Sequence, residues 1–522
     1  MAAHTARIGI ALRAAAFLLL ATFVFYSAIE VCESSAWDIG KVGSEPWVEY
    51  SSALRIHNLK PNTLDVIAFG GSTCATSFSP MDIWLVSGIA SHNYGGSWQS
   101  PYQSYFLLKE VLKEQNPQVV FLESYQLVGY QPDEKTYRAC FDPLPLSENK
   151  LQAISEHLSA FPKEKQTDQT LSYLFSINKY RQTWKTLTEF GFTKVSPLED
   201  YYGFYGFVYR HRVTPQSEEV SNFVGFTDTG TGRANYQPEA LLYAKKMIDL
   251  CKQNGITLIL YKTPHIGWSA EAHNSVQSFA DQNGVKYIDF NMGDYCAQAG
   301  ISFATMFDDN AHMNIIGGIA MSQYLGRYLR DNLADLPDHT GEPSYAAYEN
   351  DLTRYKREVF NECFIRETNM SLYLDLLTAQ EVRDYTIIFS VKDDCQAQMG
   401  EEILGKMRAM GFNSDKVFEE YGHSFIGVWQ DERVIYEARS EDIDNAEVDT
   451  IDYKGVLPDG MKYYVKSAGY RCGNISNIVI DGTEKSKNSR GFNVVVYDSR
   501  TGRVVDSICW DTHANAGTTF KR

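Results

Sequence analysis

Basic clusters are scarce in this sequence. Its 48 Lys and Arg are outnumbered by 65 Asp and Glu, giving a net charge of −17. That balance argues against nucleic acid as a partner, because phosphate backbones reward clustered cations. Paired cysteines are missing as well. The nine cysteines form no CxxC pair and no His/Cys spacing suited to zinc, so neither a metal site nor a cofactor is expected. Their odd number rules out a fully paired disulfide framework and leaves Cys472 with Cys509 as one conceivable bond. Internal repeats and low-complexity tracts are also lacking. What is present is a chain of 522 residues rich in Tyr (33) and Phe (28), too long for one ordinary core, so two or three domains are expected.

Only one long apolar run occurs, AAAFLLLATFVFYSAIEV at 14–31. It is about the minimum length for a helix crossing the hydrocarbon core. Arg7 and Arg13 precede it, and Glu30, Glu33 and Asp38 follow it. The positive-inside rule then leaves the bulk of the chain outside the cytoplasm. A cleaved signal peptide is the competing reading, but no small-x-small site follows the run. A single-pass anchor in the cell membrane is therefore expected over residues 1–35, with an extracytoplasmic remainder.

From residue 64 to about 335, apolar strands alternate with amphipathic helices. LDVIAFG (64–70), QVVFLE (118–123), ITLILYKTP (256–264) and VKYIDFN (285–291) read as strands. Between them, SYFLLKEVLKEQNP (104–117) and PEALLYAKKMIDLCKQNG (238–255) read as helices. Such alternation implies βαβ units and a parallel sheet covered on both faces, an α/β fold. Residues 36–335 are assigned to this domain. A segment of about 125–236, including the aromatic run EDYYGFYGFVYRHRV (199–213), reads as an insertion over the carboxyl edge of the sheet, where a lid or groove would sit. Residues 336–383 read as a linker and helical connector. Residues 384–522, mostly strands with turns, read as a smaller α/β or β-rich domain.

Two short motifs carry chemistry. In LDVIAFGGSTCATSFSP (64–80), a buried strand ends in Gly70-Gly71-Ser72, which places a serine at the carboxyl end of a strand, where open α/β sheets bind ligands. Near the end of the domain stands MFDDNAHMNIIGG (306–318). There Asp309 lies three residues before His312, just ahead of a helix, with Asp308 as the alternative partner. An imidazole that takes a proton from serine needs its second nitrogen held by an acceptor, and D-x-x-H supplies one locally. Each motif alone also suits a structural turn or helix cap; together they suit a serine nucleophile and its base. Lys262 and His265, in KTPHIGW, lie at another strand end and are further candidates to line the pocket.

The order of these blocks resembles the SGNH (GDSL-type) hydrolases and acyltransferases. The likeness spans about 60–335 and is nearest to membrane-anchored members related to the proteins of teichoic-acid D-alanylation and alginate O-acetylation. GGST, NYGGSWQS, VVFLE, KTP, YIDFN and DDNAHMN fall in the order those members show. The resemblance implies a flavodoxin-type parallel sheet and a catalytic Ser72, His312 and Asp309. It also implies an acyl-serine intermediate, a cell-surface glycan or its acyl donor as partner, and a membrane-bound O-acyltransferase working alongside. Gly71, Gly95, Gly96, Asn93 and Gln126 are the candidates for oxyanion or substrate contact. Two departures stand out: GGST replaces the usual GDS, and the GxND block is replaced by ESYQ after VVFL. The alternative implied by those departures is a non-catalytic polysaccharide-binding scaffold.

The segment 463–512, with its signal SRGFNVVVYDSRTGRVVDSICWDT, resembles the interleukin-like EMT-inducer domain, a carbohydrate-recognising module. Residues 384–429, DYTIIFSVKDDCQAQMGEEILGKMRAMGF…SFIGVW, resemble its strand–helix–strand part, placed before the hairpin instead of after it. Carried over, Arg490, Asn493, Trp510 and Asp511 are the candidates for sugar contact.

Overall fold

The computed structural model describes residues 59–129, 134–142, 144–174, 204–210, 212–379, 384–394, 399–413, 422–441, 449–514 and 519–522, with Arg13, 15–24, Ser27, Ile56 and Asn445 besides. Of the apolar run at 14–31, residues 15–24 and Ser27 are described, and 15–24 are helical with exposed side chains such as Phe17 and Leu19. Among the described residues, no helix is long and apolar enough to cross a membrane. The chain divides into two compact units, Met1–Thr353 and Arg354–Arg522. The stretch read from sequence as a connector is thus shared between them, and the helix Ala346–Arg366 contains the division.

In the first unit, five parallel strands form one sheet: β1 (Val66–Gly70), β2 (Ser91–Gly95), β3 (Val119–Glu123), β4 (Thr257–Lys262) and β5 (Lys286–Asp289). Their order is β2-β1-β3-β4-β5, the doubly wound order of flavodoxin-like sheets. Apolar residues run without interruption along β1 and β3 because both faces are covered. Successive side chains alternate: Ile67, Phe69, Val120, Leu122, Leu258 and Leu260 enter one core. Val66, Ala68, Val119, Phe121, Ile259 and Tyr261 enter the other, as the period of two in a strand requires.

The first core is closed by α3 (Pro101–Val111), α4 (Pro238–Gln253) and α5 (Ala270–Asn283), the second by α2 (Pro80–Ser87) and α6 (Ile315–Asn332). Part of the expected insertion is helical, over Glu134–Phe141, Glu148–Leu158 and Lys163–Leu174. It joins the first core, with the Tyr102 hydroxyl donating to the Ala153 carbonyl at 2.6 Å. At the other end of the unit, Tyr348 stacks on Trp84 and on Tyr205, so the chain beyond 335 still belongs to this unit.

The strands of the second unit are β6 (Tyr385–Lys392), β7 (Phe425–Gln430), β8 (Arg433–Arg439), β9 (Thr450–Val456), β10 (Lys462–Ala468), β11 (Ile475–Ile480), β12 (Thr483–Glu484), β13 (Gly491–Asp498), β14 (Arg503–Trp510) and β15 (Phe520–Lys521). They form a six-stranded antiparallel sheet in the order β15-β14-β13-β6-β7-β8 and a four-stranded one in the order β12-β11-β10-β9. The central pair is β6 (Tyr385–Lys392) with β13 (Gly491–Asp498), in full antiparallel register. One face of the larger sheet packs Ile388, Val428 and Val495 against Val465 and Ile478 of the smaller sheet. The opposite face packs Phe389, Val494 and Trp510 with residues of helices Met370–Leu377 and Glu401–Ala409. The unit is therefore a β-rich, three-layered body. Cys472 and Cys509 are both free thiols.

Candidate active site

Ser72 opens α1 (Ser72–Ser77), a one-and-a-half-turn helix entered straight from β1. The turn is tight because β3 crowds it. A side chain on Gly70 would bring its Cβ within 2.4 Å of the Glu123 Cβ, so only glycine fits. β1 and β3 are neighbours while β2 turns back on the other side, so Ser72 sits at the point where the winding direction changes, the usual ligand position in such sheets.

The base arrives from the other end of the unit. Residues 306–314 form a loop that ends in the N-cap Asn314, whose side chain accepts from the Gly317 amide at 3.2 Å. The following helix α6 is pressed onto α1: Ser322 Oγ donates to the Ser77 carbonyl at 2.9 Å and accepts from the Ser79 amide at 2.7 Å. A Cβ on Gly318 would meet the Phe207 ring at 2.9 Å and the Thr76 carbonyl at 3.1 Å. This docking fixes His312 against Ser72, with Nε2 2.8 Å from Oγ. His312 Nδ1 lies 2.8 Å from Asp309 Oδ2. Asp309 Oδ1 also accepts from the amides of Ala311 at 2.7 Å and His312 at 2.8 Å.

Burial opposes ionisation of Asp309, but the hydrogen bond from His312, followed by the loop amides, outweighs it and holds the carboxyl well below the usual range. An ionised Asp309 accepts the Nδ1 proton. The Nε2 lone pair then faces the serine hydroxyl, which is the tautomer a general base needs. Ser72 and His312 are each half-buried. Asp308, the alternative partner, is engaged elsewhere: Oδ2 is 3.3 Å from Arg210 Nη1 and 3.6 Å from Arg212 Nη2.

The oxyanion candidates fare unequally. Gly95 donates its amide to Asn93 Oδ1 at 2.9 Å, and Gly96 donates to the Gly70 carbonyl at 3.0 Å. Both expected amides are thereby spent on structure. Asn93 is wholly buried; its Nδ2 donates to the carbonyls of Cys74, Ala75 and Phe78, at 2.9, 3.2 and 2.8 Å. It ties β2 to α1, so the expectation of a substrate contact is corrected to a structural role. Gly71 is the N-cap of α1. Gln126, from the turn after β3, is close by, with Nε2 3.6 Å from where a Cβ on Gly71 would lie. Its Oε1 is buried without a hydrogen-bond partner.

Lys262 and Glu123 form an ion pair at 2.8 Å with both side chains fully buried. Lys262 Nζ also donates to the carbonyl and hydroxyl of Thr263, at 3.0 and 3.1 Å. Glu123 Oε2 accepts from the Tyr125 amide at 3.0 Å. The pair therefore holds the turn that carries Tyr125 and Gln126.

Sequence reasoning missed Arg210. It lies in the aromatic run, whose described part, 204–210 with 212–213, reaches α1 and the base-bearing loop. Val208 donates to the Ala75 carbonyl, Ile315 donates to the Arg210 carbonyl, and Thr214 donates to the Phe307 carbonyl. The guanidinium stands 3.6 Å from Asp309 Oδ2. No local pattern marks it, because its partners are almost a hundred residues downstream.

In the second unit the sugar-contact candidates divide. Trp510 is fully buried with Nε1 donating to the Thr368 carbonyl at 2.7 Å, and Asn493 is buried against the Ser489 and Gly491 carbonyls. Neither is presented to a ligand, because the strand register turns both side chains inward. Arg490 and Asp511 lie at the surface and pair with each other at 2.6 Å.

No family model matches the chain, and no curated protein matches it. Solved structures do. A GDSL-like lipase of Bacteroides thetaiotaomicron VPI-5482 is 11% identical, with 55% of this chain and 98% of that one covered at a TM-score of 0.25. A candidate acylhydrolase of Bacteroides fragilis NCTC 9343 is 12% identical, with 54% and 95% covered, also at 0.25. A gut microbial diltiazem-metabolizing enzyme is 14% identical, with 52% and 48% covered, at 0.19. Scores this low leave the reading of the site to its own geometry.

Proposed function

We propose that the first unit is a serine esterase or O-acyltransferase. The observation that carries this reading is the Ser72–His312–Asp309 relay, with 2.8 Å at each link. Ser72 Oγ attacks an ester carbonyl carbon as its proton passes to His312 Nε2, and the carbonyl π pair moves onto the oxygen. Gln126 Nε2 supplies one donor to that oxyanion. Collapse of the adduct breaks the bond to the leaving alcohol, which takes the proton back from His312 and leaves an acyl-serine. Water, or a sugar hydroxyl in the transfer case, repeats the sequence in reverse. Imidazole and carboxylate return to their starting states, so the cycle needs no metal or redox partner.

For substrate we assign an O-acyl group on a cell-surface polysaccharide, with residues 14–31 anchoring the chain in the membrane and the second unit engaging the glycan. This assignment rests on the family resemblance of the blocks around Ser72 and His312 and of the 489–512 hairpin. The test is covalent. A fluorophosphonate labels the full chain at Ser72, and S72A abolishes both the label and acetyl-ester cleavage. A label that persists in S72A refutes the nucleophile.

A further inference from the structure

Strand alternation sorts the side chains of the four-stranded sheet. Tyr463 and Val465 of β10, with Ile478 and Ile480 of β11, point into the core between the two sheets. Their neighbours therefore point outward: Lys462 and Tyr464 on β10, Val479 on β11, and Lys454 and Val456 on β9. Register gathers these five on one patch. Lys454 stands opposite Tyr464, Val456 opposite Lys462, and Tyr464 opposite Val479, so their side chains are neighbours on the same face. Together with Gly482 of the β11–β12 turn they line a depression of about 420 Å³, a volume within the range of small-molecule sites.

Its floor and its rim differ in chemistry. The Tyr464 ring, Val479 and Val456, which is 62% exposed, form an apolar floor. Lys454 Nζ stands 5.8 Å from the centroid of the Tyr464 ring, and Lys462 is the outward residue next to Tyr464 along β10. Neither ammonium has a carboxylate partner among the described residues. The acids nearby are engaged elsewhere. Glu484, opposite Val479, accepts from the amides of Ile478 and Ser486 at 3.0 and 2.9 Å. Asp452 stands opposite Lys466. Asp459 accepts from the Tyr497 hydroxyl at 2.7 Å, and Asp481 acts electrostatically on that same hydroxyl.

A cationic rim over an apolar floor, in a chain of net charge −17, favours one kind of guest. It brings a flat apolar face for the tyrosine and a negative charge fixed at the edge of that face. A pyranose ring bearing its own carboxylate has both. Its C–H face lies on Tyr464 while the carboxylate reaches the ammonium beside the ring. A phosphodiester carries its charge between sugars, away from the stacked ring, and a neutral sugar leaves both lysines unmatched.

We propose that this depression binds a uronic-acid residue of an acidic polysaccharide, with Tyr464 as the platform and Lys454 and Lys462 as the carboxylate partners. The proposal rests on the reading of the second unit as the part that engages the glycan, and it adds the place and the charge of the ligand.

The test is calorimetric titration of the full chain with an oligogalacturonate, its methyl ester, a neutral maltooligosaccharide and dextran sulfate. The oligogalacturonate is expected to bind, and its uncharged methyl ester to bind at least about tenfold more weakly. K454Q with K462Q, and separately Y464A, are each expected to weaken oligogalacturonate binding about tenfold or more at an unchanged circular dichroism spectrum. K454R with K462R keeps both charges and should retain most of the affinity. Unaltered affinity in K454Q with K462Q, or dextran sulfate bound as tightly as the oligogalacturonate, overturns the site. Binding of the maltooligosaccharide but not the oligogalacturonate overturns the proposal and leaves the glycan reading standing. No saccharide bound at all overturns both, while fluorophosphonate labelling of the same sample reports on Ser72 separately.

Discussion

Removing the ammonium from the buried pair at the base of the site should be far more damaging than removing the pair itself. Lys262 and Glu123 have no exposed side-chain surface and lie 2.8 Å apart. In K262M the carboxylate keeps the Tyr125 amide but loses its counter-charge inside the protein. Stranding one partner of a buried pair costs about 3–5 kcal/mol. With a urea dependence on the order of 3 kcal/mol/M for a unit of this size, the midpoint falls by roughly 1–1.7 M. Replacing both residues with neutral ones of similar volume, K262M with E123Q, removes the stranded charge and should restore most of that loss. The assay is pulse proteolysis across a urea series, scoring peptides from β3 and β4 so that unfolding of the first unit is read alone. A midpoint shift under about 0.3 M in K262M, or a double variant weaker than K262M, would refute the reasoning.

Replacing Asp309 by Asn should cost on the order of 10³–10⁴ in kcat, through loss of the required imidazole tautomer. Because its folded-state pKa is depressed, Asp309 stabilises the protein above its unfolded value of about 3.9. That contribution disappears as pH falls through the folded value, so the stability advantage of wild type over D309N should shrink steadily in acid denaturation below about pH 5; a constant gap would contradict this. N93A removes one donor from the carbonyls of Cys74, Ala75 and Phe78 and the acceptor of the Gly95 amide, and should lower stability by about 2–4 kcal/mol. A 10²-fold loss of kcat at unchanged stability would instead return Asn93 to the oxyanion role. R210Q removes the cation that stands beside both Asp308 and Asp309 and should lower the stability of the first unit by about 0.5–3 kcal/mol, read from the same urea series; an unchanged midpoint would refute a role for that contact.

The parts of the site that were legible in sequence are those whose physics is local. Gly70-Gly71-Ser72 announces a strand-to-helix turn, and D-x-x-H sets its own carboxylate within reach of its own imidazole. The alternation of apolar strands and amphipathic helices conveyed the parallel sheet in the same way. The errors concern groups whose partners are set by pairing across the fold. Whether Gly95 has a spare amide depends on how Asn93 is pinned by the helix after a neighbouring strand, and β1/β2 pairing decides that. Whether Trp510 faces a ligand depends on which face of β14 (Arg503–Trp510) meets Met370–Leu377. Arg210 reaches Asp309 across 99 positions, so no window along the chain shows it. Asp308 was not separable from Asp309 by spacing; the cations that claim it come from that same distant segment.

The nucleophile and its base are 240 positions apart, and that separation has a consequence for biosynthesis. Until the ribosome has supplied the chain beyond position 318, the Ser72 hydroxyl has no imidazole partner, because His312 is not yet seated by the glycine contacts of the last helix. On the proposed serine mechanism, the nucleophile is therefore assembled only when the first unit closes, and a chain truncated before that point would lack its base.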